Sequence, residues 1–250
     1  MKVFKMLLVS SLLVLTSCAE LMKLSQNYTG TNAPLTSTEI GAGLKEALIQ
    51  GTDKSADILS VTDGYYNDDL VKILLPPEAD IIVENINKIP GGSLLIDDLL
   101  LKINRSAEDA AKEVKPIFVD AITDMTIADA IGILNGDDDA ATQYLRSSTY
   151  QDLLELYTPY ISASVEKNLI GDISTKDSWD QLTSVWNALA NSIVGQLAGY
   201  EPVEVELDHY LTQKALDGLF LKVADEEMLI RQDPLQRTSE LLKRVFGSRD

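Results

Sequence analysis

Apolar residues return at helical intervals through most of the chain beyond residue 38. In "TEIGAGLKEALIQGTDKSADILS", Ile40, Leu44, Leu48 and Ile58, with Ala47 between them, are spaced as on one helix face behind Thr38, a residue suited to an N-cap. This predicts a helix opening at Glu39. "DGYYND" interrupts the pattern, "VKILLPPE" reads as a short extended piece, and a second helix is expected from Glu78 to Lys88, ending at "PGG". The longest stripe joins Ile96, Leu99, Leu100, Ile103, Ala107, Ala110, Ala111, Val114 and Phe118, with Pro116 marking a bend or a new start. Asp97, Asn104, Glu108 and Lys115 follow one edge of that stripe, a border that either pairs with a neighbouring helix or, more often, forms the solvated margin.

Further on, "MTIADAIGILNG" and "DDDAATQYLRSS" read as two short helices parted at Asn135–Gly136. Thr149 to Asn168, Asp177 to Ala198 and Leu207 to Arg231 read as three more, and "TSELLKRVFG" as a last one stopped by Gly247. The fold expected is all-α: a single compact multi-helix domain of about eight to ten helices over residues 39–250, with no internal repeat.

The amino terminus follows a different pattern. Lys2 and Lys5 precede the apolar run "MLLVSSLLVL", which at about ten residues is too short to span a bilayer of roughly 30 Å and has the form of a secretory signal. "LTSC" then resembles a bacterial lipobox, in which an aliphatic and two small residues precede an acylated cysteine. On this reading residues 1–17 are a cleaved lipoprotein signal peptide. Cys18 is the lipid attachment point, and residues 18–38 form a polar tether. Ala19 directs the expectation to the outer membrane, facing the periplasm, with the lipid bilayer as partner through the acyl anchor.

Charge and composition narrow the chemistry. The formal net charge of −18 repels phosphate backbones, so no nucleic-acid partner is expected. With one Cys and one His, the chain forms no intrachain disulfide, zinc cluster or HExxH site, and it carries neither GxSxG, GxxxxGK[ST] nor GxGxxG. No cofactor is called for and no catalytic residue is assigned. In "NGDDDA" the acids lack the alternate spacing of a calcium loop and read as helix caps; Asp129 and Asp139 are the weak candidates for a metal. Glu226 falls on the apolar face of the Leu207–Arg231 helix, where a carboxylate needs a partner, with Arg105, Arg231 and Arg237 available. These residues, with Glu108 and Asp109, form the candidate buried polar or ion-pair cluster.

Four strings resemble a known family, the bacterial domain of unknown function 4197. They are "NRSAEDA" (Asn104–Ala110), "PIFVDAITDMTIADAIGILNGDDDAATQYLR" (Pro116–Arg146), "YLTQKALDGLF" (Tyr210–Phe220) and "EEMLIRQDPLQRTSELLKRVFG" (Glu226–Gly247). The resemblance runs from about Ile40 to Gly247 and implies a helical, exported or lipid-anchored protein, but no reaction, substrate or partner. The functional expectation is therefore a non-enzymatic envelope lipoprotein that binds or supports a partner. A carboxylate-based enzyme, with or without a divalent metal, and a carrier of apolar ligands are the alternatives. If Cys18 is the attachment point, labelling growing cells with radioactive palmitate marks the wild-type protein and leaves Cys18→Ser unmarked.

Overall fold

The computed structural model describes residues 34–88 and 91–250, so the lipobox, Cys18 and the expected tether as far as residue 33 lie outside the described residues. Residues Thr38 to Asp250 cluster into one compact unit. Among the described residues every regular element is helical: α1 (Ser37–Leu59), α2 (Asp80–Glu84), α3 (Gly92–Ala110), α4 (Val114–Asp124), α5 (Ala130–Leu134), α6 (Ala140–Val165), α7 (Thr175–Ala190), α8 (Ile193–Leu197), α9 (Leu207–Gln232) and α10 (Glu240–Phe246). The all-α expectation holds.

Helix α6 is the centre of the assembly, packed on α9, α3 and α4. Its buried residues, from Ala141, Leu145 and Leu153 to Tyr157, Ile161 and Val165, spread round more than half its circumference at about 100° per residue. That breadth belongs to a core helix rather than a surface one. Helix α3 buries most of the expected stripe, with Leu99, Ile103 and Ala107 fully enclosed and Ile96 and Leu100 half-buried, and carries α7 on another side. Helix α1 lies against α9, where the Lys54 ammonium sits 2.9 Å from the Glu226 carboxylate.

Several expected boundaries move, each for a local reason. The helices expected either side of "SSTY" are one helix, because Ser147 and Thr149 turn their hydroxyls back onto the Tyr144 and Leu145 carbonyls and leave the helix unbroken. The helix expected over Asp177–Ala198 divides instead, since Ser192 caps a new helix through Gly195 N–H. The expected stripe from Ile96 to Phe118 breaks into α3, a 3₁₀ turn at Ala111–Glu113, and α4, whose first turn accepts Pro116. The helix expected from Glu78 to Lys88 shrinks to the five residues of α2 between two 3₁₀ turns.

Buried polar side chains make the joints between helices. Glu227 on α9, 1% exposed, accepts the Ala141 N–H at 2.9 Å and the Thr142 N–H at 2.7 Å, which caps α6 from outside. The Thr142 hydroxyl adds a bond at 2.6 Å. One turn along α9, Arg231 pairs with Glu227 at 2.7 Å and donates to the Leu134 and Ile133 carbonyls at the end of α5. Arg237 closes α9 in the same manner, donating to the Ile230 and Arg231 carbonyls and, bidentately, to the Asp250 carboxylate. Replacing Glu227 with Ala leaves the Arg231 charge buried without its partner, a class of change that costs about 3–5 kcal/mol. The urea midpoint of Glu227→Ala is therefore expected to fall sharply at unchanged m-value.

Candidate functional site

An open cleft of about 830 Å³ lies between the segment Leu70–Leu75, α2, α3, the first turns of α6 and the middle of α9. Its walls are largely apolar, formed by Leu70, Leu74, Val83, Ile96, Leu100 and Leu221. Leu70 and Leu74 are 74% and 60% exposed, so large aliphatic surface faces the opening rather than the core.

Segment Val71–Pro76 carries this apolar wall without belonging to a sheet. Its burial alternates, Val71, Ile73 and Leu75 inward and Leu74 outward, as in a strand. Among the described residues no second strand satisfies its backbone. The Asn104 side chain does so instead, accepting from Ile73 N–H at 2.8 Å and donating to Ile73 C=O at 2.8 Å. The Tyr210 hydroxyl donates to the Leu74 and Leu75 carbonyls. Upstream, Glu108 accepts the Tyr65 and Tyr66 N–H groups at 3.2 Å each. Arg105 bridges Glu108 and Asp63, both at 2.6 Å, which holds the left-handed turn at Asp63 (φ 71°). Asn104 is buried rather than on a solvated margin, and Glu108 is buried and paired with Arg105, as the expected ion-pair cluster had it, because the non-helical backbone of residues 65–73 has to be satisfied from α3.

The floor is set by Gly218. A Cβ there would stand 3.0 Å from the Tyr65 ring and 3.2 Å from Val71, so α9 meets the segment so closely that any side chain would have to displace one of them. Burial first, then the charge of Glu108, holds the Tyr65 hydroxyl far above its ordinary pKa; it remains a neutral donor to the Ala215 carbonyl at 2.9 Å.

At the α6 side the polar groups gather. Arg146 pairs with Asp217, and its guanidinium stands 4.9 Å from the Tyr150 ring centroid and 5.3 Å from that of Phe220. Tyr150 donates to Asp217 at 3.3 Å. Asp139 accepts from the Gln143 amide at 2.9 Å. Lys72 and Lys214 face the rings of Tyr66 and Tyr210, at 4.1 and 5.8 Å from their centroids.

The structure does not bring the six residues of the expected ion-pair cluster together. Arg105 and Glu108 pair with each other at the Asp63 turn. Asp109 lies on α3 between Lys112 and Lys167, at 2.9 and 2.6 Å. Glu226 takes Lys54, not Arg105, Arg231 or Arg237, and the contact is an ion pair without hydrogen-bond alignment. Arg231 and Arg237 are engaged with Glu227 and Asp250. The separation has a simple cause: each buried charge is compensated by its own neighbour along or across a helix joint. Asp129 caps α5 through the Gly132 N–H at 2.8 Å. No group of three or more His, Cys, Asp or Glu among the described residues is placed to hold a metal ion.

Sequence reasoning passed over Glu227, although Glu227 and Arg231 stand at i and i+4, a readable pairing signal. It also passed over Arg146 and Asp217, which are 71 positions apart and carry no local signal.

The model of the family described as "Protein of unknown function (DUF4197)" matches residues 34–247, the whole of the cleft included. The chain belongs to the DUF4197 family. No curated protein and no solved structure matches it. Within this DUF4197 body, no helix among the described residues is long and apolar enough to cross a membrane.

One candidate residue is informative about pH. Burial of Asp109 opposes its ionisation, but hydrogen bonds from Lys167, Lys112 and Ser164 prevail and bring its pKa down from 3.8 to about 2. Because the folded value is depressed, its stabilisation is complete above the unfolded value and is lost as pH falls through the folded one. With half-exposed lysines screened by solvent, about 1–2 kcal/mol is expected. Urea unfolding of wild type and Asp109→Asn should differ by that amount at pH 6 and converge between about pH 4 and pH 2.

Proposed function

We propose that this DUF4197 protein is a lipid-anchored envelope protein that binds an amphipathic ligand in the cleft and does no chemistry on it. The lining carries the reading: one continuous aliphatic wall with a small set of polar groups gathered at the α6 side. An apolar chain fits along Leu70, Leu74, Leu75 and Leu100, and a polar head reaches Arg146 and Gln143. Two of the three cleft carboxylates are already engaged, Asp217 by Arg146 and Tyr150 and Asp139 by Gln143, and the third, Asp80, is exposed to solvent, which favours binding over acid–base work. The lipobox at Cys18 supplies the anchor and the envelope address of this reading, with the outer membrane facing the periplasm as destination.

Leu74 is the side chain to test, because its exposure lets it change without unfolding the core. Loss of one leucine contact is worth about 1.5–3 kcal/mol, and 1.4 kcal/mol is tenfold in affinity. Titration with dansyl-undecanoic acid is therefore expected to give saturable binding to the wild-type protein, weakened about tenfold or more in Leu74→Asp. Absence of saturable binding to the wild type rejects the reading.

A further inference from the structure

Residues 181–200, "QLTSVWNALANSIVGQLAGY", contain no charged side chain, in a chain of which 24% is charged. They form the end of α7, the whole of α8 and the turn beyond. On α8, Ile193, Val194 and Leu197 are 78%, 70% and 84% exposed. Isolated exposed aliphatic residues are ordinary, but three neighbours at this exposure within a charge-free stretch make a patch.

The patch is held in place by its own backbone. Gly195 is the buried residue of α8, and a Cβ there would fall 2.1 Å from the Leu189 carbonyl oxygen. Helix α8 thus rests by its glycine directly on the end of α7, and its large side chains have only the outward directions left. Ser192 locks the junction, accepting from Gly195 N–H and donating to the Leu189 carbonyl at 2.7 Å. Beyond α8, Gly199 turns with φ +73° and Tyr200 N–H returns to the Gly195 carbonyl at 3.0 Å. At the margin, the Lys88 ammonium stands 4.5 Å from the Tyr200 ring centroid.

We infer that α8 is an interfacial tip whose Ile193, Val194 and Leu197 insert into the surface of the bilayer to which Cys18 attaches the chain, an inference that rests on the anchored reading above. Three observations select a lipid surface. The stretch offers no charge with which to recognise an acidic or basic partner. The chain as a whole, at −18, gains nothing from anionic headgroups, so apolar insertion is the contact left to it. The tether also has the length: Pro34 stands 16 positions beyond Cys18, a reach of at most about 55 Å, against roughly 45 Å across a domain of this size. Any face of the body can therefore be turned to the membrane, and the one that inserts stays there. Lys88 and Tyr200 sit where a snorkelling cation and an amphipathic ring belong. Tyr200 also bonds to Asn85 at 3.2 Å, beside α2, and Val83 of α2 lines the cleft. Insertion of the tip thus places the α2 wall of the cleft next to the bilayer.

The full-length protein, extracted with its acyl anchor, is reconstituted in phosphatidylethanolamine–phosphatidylglycerol vesicles containing doxyl-labelled lipid. A nitrobenzoxadiazole label is carried by Leu197→Cys in one sample and by Glu240→Cys, whose native side chain is 91% exposed, in the other. The expected result is a blue shift and several-fold stronger lipid quenching at position 197, at a depth of roughly 5–10 Å, with position 240 quenched only from water. Equal aqueous quenching at both positions in protein that floats with the vesicles overturns the tip. So does shielding of position 197 that grows with protein concentration and needs no vesicles, which assigns the patch to a second copy. Failure of the anchored reading is separately visible, since an unacylated Cys18 takes a second label detectable by mass. In that case Cys18→Ser/Leu197→Cys with added vesicles decides the tip in the same two directions.

Discussion

The fold turns on one requirement: the non-helical backbone of residues 63–76 has to find hydrogen-bond partners inside an all-helical body. A sheet would supply them through a neighbouring strand; here two side chains of α3 do so, joined by the Tyr210 hydroxyl of α9. Asn104 presents its amide to Ile73 as a strand would, and Glu108 accepts the N–H groups of Tyr65 and Tyr66. Everything at the cleft follows from this. Because the segment is held in an extended form, its side chains alternate, and the outward ones become an aliphatic wall instead of joining the core. Because it crosses α9 closely, a side chain at position 218 would press on Tyr65 and Val71.

The same economy governs the buried charges. Glu227 replaces an N-cap for α6, Arg231 replaces a C-cap for α5, and Arg237 does the same for α9. Helix ends that meet inside a core have orphan groups water cannot reach, and one side chain with two or more functional atoms satisfies several at once. Buried pairs of this kind contribute little net stability, but they define which helix end meets which. The acids and arginines that stand out in the sequence are mostly joints of this sort, and the cleft draws on few of them.

The helical class, the α3 stripe and the terminal helix were legible because a 3.6-residue period survives inside each element. Where a hydroxyl cluster such as Ser147–Thr149 mimics a break, or a serine such as Ser192 makes one inside a continuous apolar pattern, the period alone misplaces the boundary. The site was far less legible. "VKILLPPE" reads correctly as extended, yet nothing local says that Asn104, 31 residues on, completes it. Arg146 and Asp217 meet only because α6 and α9 pack together. Partners such as Lys54 for Glu226 depend on which helices pack, and packing is decided by the whole chain.

The Glu227 joint also sets an order of events. Its bonds to Ala141 and to the Leu134 carbonyl, the latter through Arg231, close loops of 86 and 97 residues. Local helices form early, whereas contacts of such sequence separation are gained late, after the entropy of loop closure has been overcome. In a chain delivered amino terminus first, the carboxyl end of α5 and the amino end of α6 lack these partners until α9, which begins at Leu207, has arrived.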